Sequence, residues 1–67
     1  MDILYVEKDK LGRAVAHLVL TAQELETVQE SLQTTIQNTQ HPGEANIQRM
    51  KALEPKFLEA RNKARML

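Results

Sequence analysis

The sequence predicts an all-α fold: an antiparallel two-helix hairpin of coiled-coil type, with residues 1–10 as an N-terminal arm or helical extension. Three observations predict it. Leucines recur every seven residues, at Leu4, Leu11, Leu18, Leu25 and Leu32. The Pro42-Gly43 pair breaks the chain past its middle, and a second apolar period follows it. Aromatic residues make up only 3% of the chain, which disfavours sheet, while abundant Ala, Leu, Gln, Glu and Lys favour helix.

Each element follows from that pattern. The first helix is expected from about residue 12 to 38. Its seam pairs the leucines with Ala14, Thr21, Val28 and Thr35, and Val15, Ala22 and Ile36 widen the stripe. The turn is expected at 39–43, because proline fixes φ and lacks an amide hydrogen. The second helix is expected from about 44 to 66, with a seam of Met50, Leu53, Phe57, Ala60, Ala64 and Leu67. Pro55 lies opposite that seam, so it bends the helix with a kink rather than ending it. At 1.5 Å per residue the helices match, at roughly 40 and 35 Å. A short turn between matched helices gives one helical-hairpin domain over residues 1–67. The cluster Ile3, Leu4, Tyr5 and Val6 overhangs it.

Length and charge then bound the function. A chain of 67 residues buries only about 60% of its unfolded surface, so association is the expected source of extra stability. There is no cysteine, which excludes disulfides and thiolate zinc sites. Nine Lys and Arg balance nine Asp and Glu, so bulk charge favours neither nucleic acid nor an anionic membrane. No basic region precedes the apolar stretch from Ala14 to Leu20, which is too short to span a bilayer. A cytoplasmic location is the expectation.

No constellation for catalysis emerges, and neither an enzyme, a cofactor nor a metal is expected. His17 and His41 lie near opposite ends of the first helix, and Ser31 has no histidine within a turn. Glu24, Glu26 and Glu30 lack an accompanying Glu-x-x-His pair and read as a solvated face. Arg49, Lys56 and Lys63 form a basic stripe. It is expected to face the acidic side of the first helix, with Glu24 beside Lys56, rather than RNA; an RNA-binding helical hairpin is the third-ranked reading.

What a two-helix hairpin does not absorb is a surplus of apolar residues. Ala16, Val19 and Leu20 lie off the first seam; Ile47, Leu58 and Met66 lie off the second. They form a second patch at the open end, whose candidate partner-binding residues are Val19, Leu20, Leu58 and Met66. A homodimeric four-helix bundle and a docking face for another protein explain this patch equally well.

The run Gln48-Arg49-Met50-Lys51-Ala52-Leu53-Glu54, the two-helix layout and the mid-chain break resemble the small YscE-type co-chaperones of bacterial type III secretion. The resemblance implies pairing with a tetratricopeptide-like chaperone, the two together holding the needle subunit unpolymerised in the cytoplasm. It also implies a contact or core role for Leu53. The functional expectation is therefore a protein-binding co-chaperone; the alternative is a self-associating helical adaptor or structural bundle.

Overall fold

A β-hairpin precedes the helical hairpin. The computed structural model describes residues 1–67, in the order β1 (Asp2–Lys8), β2 (Ala14–Val19), α1 (Ala22–Asn38) and α2 (Ala45–Arg65). The expected all-α fold is thus corrected to a mixed α and β arrangement. The first helix begins at Ala22, not near residue 12, and residues 1–10 are neither a free arm nor a helical extension.

The reason lies in the loop between the strands. Asp9 Oδ1 accepts hydrogen bonds from the backbone N–H of Leu11 and of Arg13, both at 2.9 Å. The Gly12 N–H donates to the Asp9 carbonyl at 3.0 Å, and the Asp9 N–H to the Arg13 carbonyl at 2.9 Å. Gly12 holds φ at 78°, the only positive φ in the chain. Asp-x-x-Gly loops of this kind reverse a strand, with the glycine in the left-handed region. The strands pair antiparallel from Asp2 opposite Val19 to Lys8 opposite Ala14, with an irregularity at Leu4. Leu4 and Leu18 of the leucine repeat therefore lie in strands, and Leu11 lies in the loop.

No atom would crowd a Cβ built at Gly12, so substitution costs backbone strain alone. Gly12→Ala is expected to weaken the hairpin by about 1–2 kcal/mol. Cross-strand nuclear Overhauser contacts should fade while the circular dichroism of the helices holds.

Helix α1 starts where Thr21 and Glu24 close a capping box. Glu24 N–H donates to Thr21 Oγ1 at 3.1 Å, and Thr21 N–H donates to Glu24 Oε1 at 3.0 Å. Thr39 ends α1 in extended backbone, and Pro42 and Gly43 turn the chain. The Glu44 N–H donates to the His41 carbonyl at 3.1 Å, and the Gln48 side chain donates to the Pro42 carbonyl at 2.7 Å. Helix α2 runs through Pro55 without a break.

The helices pack antiparallel, as the Arg65–Glu26 ion pair at 2.7 Å and the Arg61–Gln29 hydrogen bond at 2.7 Å require. Glu24, the expected neighbour of Lys56, instead contacts the Met1 amino group. The α1 seam runs through Leu25, Val28, Gln29, Leu32 and Ile36; Thr35 is exposed. On α2 the inward positions are Ile47, Met50, Glu54, Phe57, Arg61 and Ala64, a repeat of three and four. The expected seam residues Leu53 and Leu67 are exposed, at 45% and 109%. Ile47, expected on an outer face, is the one buried apolar side chain, at 6%.

Candidate interaction surface

Strand pairing sorts the β-hairpin residues onto two faces, because partners across an antiparallel ladder share a face. One face carries Ile3, Val6 and Lys8 from β1 with Leu18, Ala16 and Ala14 from β2. The other carries Asp2, Tyr5 and Glu7 with Val19, His17 and Val15. The first is apolar except for Lys8 at its loop end. Ile3 is 67% exposed, Val6 71% and Leu18 46%. The irregularity at Leu4 sends Ile3 to this face and Tyr5 to the opposite one.

The second face is more polar and partly closed by its own side chains. The Tyr5 and His17 rings stack with centroids 4.1 Å apart. His17 Nε2 lies 2.8 Å from Glu7 Oε1. Val15 and His17 are half-buried there, whereas every apolar-face residue is exposed.

Neither face is covered by the helices. β1 packs on β2 and α1 on α2, with no strand–helix packing. The hairpins meet only at their junction, where Met1 and Leu20 line a shallow groove with Gln23, Glu24, Thr27 and Val28. There the Met1 amino group lies against the Glu24 carboxylate and, with the Thr21 N–H, lowers its pKa from 4.5 to about 2. A carboxylate depressed on folding stabilises the fold above its ordinary pKa, and that stabilisation is lost as pH falls. Acid titration should therefore loosen the start of α1 between pH 4.5 and about 2, read from the Glu24 and Ala22 amide shifts. A start of α1 unchanged to pH 2 would remove this contact from the account.

The open shape has a measurable consequence. The chain exposes 5534 Å², whereas a compact protein of 7.7 kDa exposes about 4,300 Å². Its radius of gyration is 13.7 Å, against about 11 Å for a compact domain of this length. Only two residues are buried, Ile47 and Gln29.

Gln29, at 2% exposure, is the polar centre of the helical seam. Its side-chain nitrogen donates to Glu54 Oε1 at 2.8 Å, and its oxygen accepts from Arg61 at 2.7 Å. Arg61 Nε is buried without a partner. One glutamine thus ties together two charged residues seven apart on the facing helix, which fixes the register of the pair.

The residues expected to bind a partner do not form one patch. Val19, at 48% exposure, ends β2 on the Tyr5 face. Leu20 is half-buried in the junction groove. Leu53 is exposed on α2 at 45%, and Leu58 is half-buried. Met66 caps the C-terminus of α2 and is 85% exposed. Sequence reasoning missed Ile3, Val6 and Leu18 as a joint surface. The signal was present in β-branched and aliphatic residues flanking Asp9-Lys10-Leu11-Gly12.

Of the basic stripe, Lys63 lies 3.0 Å from Glu59 of its own helix, while Arg49, Lys56 and Lys63 are all exposed. No helix is long and apolar enough to cross a membrane. No group of three His, Asp or Glu side chains stands close enough to hold a metal ion. Comparison with known families, with characterised proteins and with solved structures finds no match.

Proposed function

We propose that this chain is a protein-interaction module, without catalytic activity of its own, which binds through the apolar face of its β-hairpin. The observation that carries this reading is the unsupported exposure of Ile3, Val6 and Leu18, on a two-stranded sheet that no helix covers. An isolated two-stranded hairpin is marginal in water, and a third strand or a packed layer is what stabilises it. Patches of this kind on small proteins mark interfaces. The helical hairpin serves as the anchor, and its Gln29 network holds the helices in one register.

The secretion co-chaperone is one member of this class. Its supporting run, Lys51 to Glu54, lies on α2 with Leu53 exposed, but the two-helix layout spans only residues 22–65. The partner is therefore a protein with an apolar complementary surface.

Changing Ile3, Val6 and Leu18 together to threonine tests the reading, since threonine keeps strand propensity and adds a hydroxyl. In native extracts the unmodified chain should run in an assembly larger than itself, and the triple variant should run alone with its helical signal intact. An unmodified chain that runs as a free monomer under all conditions would refute the module.

A further inference from the structure

We draw no further inference here: the strongest candidate, the exposed apolar face of the β-hairpin carrying Ile3, Val6 and Leu18, belongs to the surface already described, and nothing in the structure shows what covers it.

Discussion

Ile47→Ala is expected to destabilise the helical hairpin by about 2–5 kcal/mol, the range for large-to-small changes at buried positions. Ile47 is the only buried apolar side chain, at 6% exposure. It stands on the first turn of α2, where the chain has just reversed through Pro42 and Gly43. The other apolar seam residues, Leu25, Leu32, Ile36, Met50 and Phe57, are only half-buried. Domains of this size have little stability to spare, and the loss should leave much of the chain unfolded. Urea melts followed by circular dichroism should show a lower midpoint with an unchanged slope. A loss below about 0.5 kcal/mol would place the core elsewhere.

Gln29→Ala should cost about 1–3 kcal/mol, the penalty for leaving buried polar partners unpaired. The substitution removes the group that accepts from Arg61 and donates to Glu54. Both charged residues are half-buried, and Arg61 already carries one unpartnered nitrogen. The diagnostic comparison is a triple variant with leucine at 29, 54 and 61. Removing all the polar members together avoids the unpaired charges and should restore stability to the unmodified level or above. It should also loosen the register, seen as broadened amide resonances along the seam. If Gln29→Ala alone proves neutral in the same melts, the network does not hold the hairpin together.

The helical half of the fold was readable because its period is real. Leu25 and Leu32 are half-buried along α1, which ends at Asn38, and α2 runs from Ala45 through Pro55 to Arg65. The α2 seam was displaced for a physical reason. Ile47, Glu54 and Arg61 form one of its two lines, and two charged residues conceal it until Gln29 is known to satisfy them. Leu53 and Ala60 looked like the better line because they are apolar, yet Leu53 is exposed.

The strands were misread because a heptad of single leucines is weak evidence for a helix. In a helix, positions three and four residues on must also be apolar, and Leu4 has Glu7 and Lys8 there. Residues 3–6 and 14–20 are instead dense apolar runs divided by Asp9 and Gly12, which is the pattern of a hairpin. The candidate surface was lost with the strands. Val19 and Leu20 were assigned to a helix face, although one ends β2 and the other sits in the junction groove. No sequence period could have shown that Ile3 and Leu18 share a face, since that depends on the irregularity at Leu4.

The central claim is that the β-hairpin owes its stability to association across its apolar face and not to its own helices. Amide hydrogen exchange of the purified chain in dilute solution tests this most directly. Amides of β1 and β2 that bond across the hairpin should exchange quickly there, with no partner bound. Those of α1 and α2 around Gln29 and Ile47 should exchange far more slowly. Strand amides protected as well as the helical ones would contradict the claim, because the hairpin would then be stable without a partner.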